Sequence, residues 1–133
     1  MSFRGFVPAL LAMLLAGAGC AAVPDDIVWT DSERVTMGSG KDFAACTAAA
    51  VAGVPELQAT SDPKMKPIAD DYLALKGPAV DRLGGLIGGI SRRGATIQVD
   101  FVSPHHRMPD AATQDTARKL LANLAGRLAA QCS

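Results

Sequence analysis

The chain has 133 residues, enough for one domain with or without a leader. Its 13 Lys+Arg against 13 Asp+Glu give a neutral balance, which lacks the basic surface that counterion release to nucleic acid requires. A hydrophobic fraction of 49% excludes an intrinsically disordered chain, and 5% aromatic residues leave few stacking platforms for bases or sugars. Residues 1–19 read as a removable leader. Arg4 supplies a positive start, Phe6 to Leu15 is almost wholly apolar, and small residues run from Ala16 to Gly19. That order is the order of a secretory signal. The apolar part is short for a membrane span of ~20 residues, and Pro8 interrupts its start. No second apolar stretch of that length follows, so no transmembrane helix is predicted downstream.

Ala18-Gly19-Cys20 resembles the last three positions of the lipobox of bacterial lipoprotein precursors. In that family a small residue precedes a cysteine that is lipidated on sulfur and becomes the new N-terminus. Gly17 departs from the pattern, standing where the family usually has Leu, while Leu14 and Leu15 lie further upstream. The resemblance covers the leader alone. It implies lipidation of Cys20, contact with membrane lipid through the acylated terminus and, from Ala21, the outer rather than the inner membrane. Ala16-Gly17-Ala18 also satisfies the A-x-A rule for simple cleavage, the pattern of a secreted soluble protein. The cysteine count favours the lipid, because modification of Cys20 leaves Cys46 and Cys132 as an even pair in an oxidising compartment. One acyl chain anchors only marginally, and lipoproteins of this kind carry several.

Residues 20–26 then form the lipidated terminus and a short tether, and residues 27–133 form one disulfide-linked α+β domain. Ile27–Thr30 and Arg34–Met37 are predicted extended segments, and Gly38-Ser39-Gly40 a turn. A helix is predicted over Lys41–Ala52, with Phe43, Cys46, Thr47, Ala50 and Val51 on one face. Gly53 is expected to stop it in the left-handed conformation, and Pro55 cannot continue it. Glu56–Thr60 reads as a strand. Ile68, Tyr72 and Leu75 have helical spacing, so Pro67–Lys76 is expected to be a short helix. Pro78–Ile90 is open between helix and loop: Val80, Leu83 and Ile87 fit a helix, but Gly84, Gly85, Gly88 and Gly89 each cost ~1 kcal/mol inside one. Ala95–Val102 is the clearest strand, with Ile97, Val99 and Phe101 facing one way and Thr96, Gln98 and Asp100 the other. The last helix, Asp110–Gln131, has an N-cap in Asp110 and an apolar stripe of Ala117, Leu120, Leu121, Leu124 and Leu128.

This order suggests two main helices on one face of a small, mostly antiparallel sheet. The nearest named arrangement is ferredoxin-like, with a helical, glycine-rich insertion and without that fold's final strand. Antiparallel helices on one face would bring the start of the first near the end of the last, and so Cys46 near Cys132. A bridge there would close a long loop; the alternative for the pair is two buried thiols.

Motifs for chemistry are sparse. Gly38-Ser39-Gly40-Lys41 lacks the first glycine of a phosphate loop, at Val35, and the hydroxyl after the lysine, at Asp42, so it reads as a turn. His105 and His106 are the weak candidates for a metal. Adjacent histidines in an extended segment point opposite ways, so a solvated loop is the better reading, and no metal or other cofactor is expected. Ala44–Gln58, ending its helix in Gly53-Val54, is similar in shape to heavy-metal-associated domains. Their paired cysteines are missing: Cys46 has Phe43 three residues before it and Ala49 three after, which argues against copper carriage. The Gly84–Gly89 run reads as a flexible loop or closely packed helix, and Asp70, Asp71 and Asp81 as a solvated face.

The expected protein is a small cell-envelope lipoprotein facing the periplasm. It would act by binding, as a non-enzymatic accessory subunit with an envelope protein partner. Alternatives are a secreted binding or inhibitor domain without lipid, and a hydrolytic or metal-dependent enzyme built on His105 or His106.

Overall fold

The computed structural model describes residues 28–65, 68–104 and 107–133. Residues 1–19, Cys20, the tether, His105 and His106 lie outside the described residues. Among those described, five strands form one antiparallel sheet: β1 (Trp29–Thr36), β2 (Gln58–Ser61), β3 (Asp71–Lys76), β4 (Ile87–Arg93) and β5 (Thr96–Ser103). Their order across the sheet is β1-β5-β4-β3-β2. Helix α1 (Phe43–Ala52) carries the chain from β1 at one edge to β2 at the other. The strands β2 to β5 then return as a meander, with the short helix α2 (Pro78–Asp81) between β3 and β4. Helix α3 (Ala111–Cys132) closes the described chain.

Period-2 alternation decides which side of the sheet is inside. On β5, Ile97, Val99 and Phe101 are fully buried, and Leu75 of β3 and Ile90 of β4 join them. Both long helices cover this side. Helix α1 starts at Asp42, whose carboxylate accepts from the Ala45 N–H at 2.9 Å. It buries Phe43, Cys46, Thr47, Ala50 and Val51, the face read from the spacing. Thr47 is polar but satisfied, since its hydroxyl donates to the Phe43 carbonyl at 2.5 Å. Helix α3 starts at Asp110, which accepts from the Thr113 N–H at 2.7 Å. It buries Ala117, Leu121, Leu124 and Leu128 on one stripe, each leucine contributing about 1.5–3 kcal/mol. Leu120 lies beside the stripe and is only partly buried.

The start of α1 meets the end of α3. Cys46 and Cys132 are joined there, their Cα atoms 5.2 Å apart across 86 residues of sequence. The Gly38 N–H donates to the Cys132 carbonyl at 2.7 Å, so the turn after β1 docks the end of α3. A Cβ at Gly38 would meet the Ser133 backbone at 2.8 Å, which explains a glycine in that turn. The phosphate-loop lookalike is a packing turn.

Several expectations are corrected. The two extended segments before residue 37 are one strand, β1. The helix expected over Pro67–Lys76 does not form: Asp71–Lys76 is strand β3, hydrogen-bonded on both sides by β2 and β4. Tyr72 and Leu75, placed together by helical spacing, point to opposite faces. The glycine-rich insertion is not a helix either. Only Pro78–Asp81 is helical, Gly84 and Gly85 turn with φ of 64° and 102°, and Gly88 and Gly89 lie inside β4. Sheet pairing overrides the local helical pattern in both places. Gly53 has φ −82°, not the left-handed value expected, and the side chain of Arg127 from α3 fills the space beside it. The sheet is also not ferredoxin-like, because a four-strand meander with only short helix α2 inside it replaces the second strand-helix-strand unit.

Candidate functional site: the uncovered sheet face

One side of the sheet carries both long helices; the other carries neither. The registers of β3, β4 and β5 bring Tyr72, Ser91 and Gln98 into one row across the uncovered face, with Arg34 of β1 beside Gln98. The next row holds Ala74, Gly89 and Asp100, and the one after it Ile87 and Val102. Beyond the first row, in the other direction, lie Arg93 and Thr96. Apart from Ala74 and Gly89, these residues together with Ile68 and Ala69 line a concavity of about 680 Å³. That is the size of a small-molecule site.

Gly89 shapes the floor. The Tyr72 ring and hydroxyl occupy the volume a Cβ at position 89 would take, so the tyrosine reaches across β4 toward Asp100 on β5. Arg93 shapes one wall. Its Nε donates to the Ile68 carbonyl at 3.0 Å and pins the segment before β3 against β4. Ile68 and Ile87 are left 56% and 50% exposed, unusual for isoleucines and placed at the rim of the concavity.

A hydrogen-bond chain crosses the floor. Arg34 Nε donates to Gln98 Oε1 at 3.1 Å, and Gln98 Nε2 donates to Asp100 Oδ2 at 3.0 Å. Partial burial pushes the Asp100 carboxyl above its ordinary range, and the Gln98 hydrogen bond pulls it partly back. Partial burial also raises Tyr72, followed by the charges of Asp100 and Asp62, so its phenol stays neutral and able to donate.

The ion pairs of the described residues lie outside the concavity. Glu56 pairs with Arg82 at 2.6 Å, Asp71 with Arg92 at 2.7 Å, Asp31 with Arg118 at 3.3 Å, and Asp115 with Lys119 at 3.0 Å. Among the described residues Asp100, Arg34 and Arg93 form no ion pair. One carboxylate and two guanidinium groups thus line the concavity, held by hydrogen bonds to Gln98 and to the Ile68 carbonyl rather than by ion pairs.

None of the sequence-predicted candidates among the described residues lines the concavity. Cys20, His105 and His106 are outside the described residues. Asp70 and Asp71, read as a solvated acidic pair, hold Arg92, and Asp70 also accepts from the Gly94 N–H of the β4–β5 turn at 2.8 Å. Asp81 ends helix α2, away from the concavity. Among the described residues no three metal-ligating side chains converge, and no helix is long and apolar enough to cross a membrane. Tyr72, Gln98, Asp100, Arg34 and Arg93 were not singled out from sequence. The available signal was the polar alternation Thr96, Gln98, Asp100 on the clearest strand, beside the chain's single tyrosine. No family model, curated protein or solved structure matches this chain.

Proposed function

We propose that this protein is a cell-envelope lipoprotein, anchored through Cys20, that acts by binding at the uncovered face of its sheet rather than by catalysis. The observation that carries the binding reading is the set of charges on that face, Asp100, Arg34 and Arg93, which have no ion-pair partner among the described residues. Among those residues Arg34 and Asp100 share only the Gln98 amide and Arg93 binds only the Ile68 carbonyl, so a bound partner would satisfy their remaining hydrogen-bonding capacity. The anchor rests on the lipobox-like Ala18-Gly19-Cys20 and on the spatial pairing of Cys46 with Cys132, which leaves Cys20 as the odd cysteine.

Two measurements test the two halves. Mass spectrometry of the mature N-terminus is expected to find an acylated Cys20; an unmodified N-terminus would sink the anchor. Hydrogen exchange of the full-length protein, with and without a small-molecule extract of its own envelope, is expected to slow on β4 and β5. Slowing confined to the outer side of α3, or none, would sink the binding face.

A further inference from the structure

We propose that the concavity is a site for a short peptide with both termini free, its ammonium seated on Asp100 and its carboxylate on Arg34. This deepens the binding reading above and rests on it. Charge complementarity is the first argument. The floor offers one carboxylate at its middle and guanidinium groups at one end, so a ligand carrying one sign alone would leave the other unmatched. Gln98 takes up only part of each charge. A carboxylate offers about four acceptor positions, and Gln98 is the sole donor to Asp100 among the described residues. Arg34 uses only Nε on Gln98, leaving both terminal nitrogens of its guanidinium available as a fork for a second carboxylate.

Length is the second argument. Gln98 and Asp100 are two residues apart on β5, about 7 Å along the strand. Arg34 sits opposite Gln98 in the register, and the Gln98 amide stands between its Nε and the Asp100 carboxylate, so a ligand reaching both groups spans that amide. An extended dipeptide places its amino nitrogen about 6–7 Å from its carboxylate carbon, since consecutive Cα atoms are 3.80 Å apart.

Apolar surface is the third argument. One strand step beyond Asp100, Ile87 and Val102 are directly paired, and Ile87 is half exposed. An aliphatic side chain on the first residue of the peptide would rest there. The Tyr72 ring, which fills the space beside Gly89, supplies a surface for the peptide backbone, and its neutral hydroxyl can donate to a carbonyl.

The test is calorimetric titration of the full-length protein with the dipeptide Leu-Ala, N-acetyl-Leu-Ala and Leu-Ala-amide. The free dipeptide is expected to bind, and each blocked form to bind on the order of tenfold or more weakly, the loss expected for one charge-assisted hydrogen bond. Asp100→Asn is expected to weaken the free dipeptide by the same order and leave the N-acetyl form unchanged; Arg34→Gln should do the converse with the amide. Equal binding of all three peptides, or no binding at millimolar concentration, overturns the proposal. So does concentration-dependent self-association that Ile87→Asp abolishes, because a second copy would then cover the face. Should Leu-Ala fail while envelope extract still protects β4 and β5 from exchange, the peptide assignment falls and the binding face stands.

Discussion

Two adjacent glycines on β4 show how differently the two faces of the sheet are built. Gly88 points toward the helices, and its missing side chain leaves room for the Phe101 ring; Gly89 points the other way and leaves room for Tyr72. Both glycines seat an aromatic ring from a neighbouring strand. Phe101 is fully buried, whereas Tyr72 is only partly buried and keeps a polar hydroxyl at its end. On the covered face close packing removes apolar surface from water and sets stability. On the uncovered face the same device lays out a floor beside unpaired charges. One face is shaped by what the fold must bury, the other by what the fold leaves unsatisfied.

The sharpest way to break this distinction is truncation of both rings. Phe101→Ala should cost about 3–5 kcal/mol by urea denaturation, because its site is enclosed and cannot collapse fully. Tyr72→Ala should cost less than half as much while abolishing dipeptide binding. Equal losses would mean the two faces are energetically alike. Removing the Cys46–Cys132 bond by Cys46→Ser with Cys132→Ser should cost about 4–5 kcal/mol in the chain-entropy model, since a separation of 86 residues is a long loop. A urea midpoint that does not fall would show that α1 and α3 are held by packing alone.

The glycines themselves give the next pair. Gly88→Ala drives a methyl into the buried Phe101 ring and should cost about 1–3 kcal/mol by urea denaturation. Gly89→Ala meets Tyr72, which can swing toward solvent, so its stability cost should be under about 1 kcal/mol, with weaker dipeptide affinity by calorimetry. The smallest effect expected is at Asp100. Its pKa in the folded chain is raised, so the folded state holds the proton more tightly than the unfolded state. The Asp100 contribution to stability should therefore decline as pH rises from the ordinary carboxylate value of 3.8 through the raised one, against the opposite contributions of Glu56 and Asp110. Asp100→Asn should remove that decline and leave the neutral-pH stability equal or slightly higher, within about 0.5 kcal/mol, in melting curves across pH. Destabilisation by this substitution would make Asp100 a structural residue.

Local patterns made much of the covered face legible. The three- and four-residue spacing of Phe43, Cys46, Ala50 and Val51, and of Ala117, Leu121, Leu124 and Leu128, identified the sides of the two helices that are buried. Alternation on β5 identified Ile97, Val99 and Phe101. The uncovered face was not legible as a site. Its residues come from β1, β3, β4 and β5 and from the segment before β3, and two of the strands were masked by misleading local signals. Ile68, Tyr72 and Leu75 imitate a helix, and Gly88-Gly89 imitates a loop. A glycine inside a strand is costly unless a neighbouring ring covers it, and the two rings lie 13 and 17 residues away in sequence, at Phe101 and Tyr72.

The residue pattern by itself determined an α+β chain, its two amphipathic helices and its best strand. Each of these follows from periodicity or composition within a short window, where the backbone geometry alone sets which side chains share a face. Tertiary structure alone decided that β1 crosses to the far side of a meander, that Asp71–Lys76 is a strand, and that Arg34, Gln98 and Asp100 form one hydrogen-bonded row. Register across strands couples residues far apart in sequence through backbone pairing. The open half of the sheet therefore acquired its charge pattern only when the other half was packed.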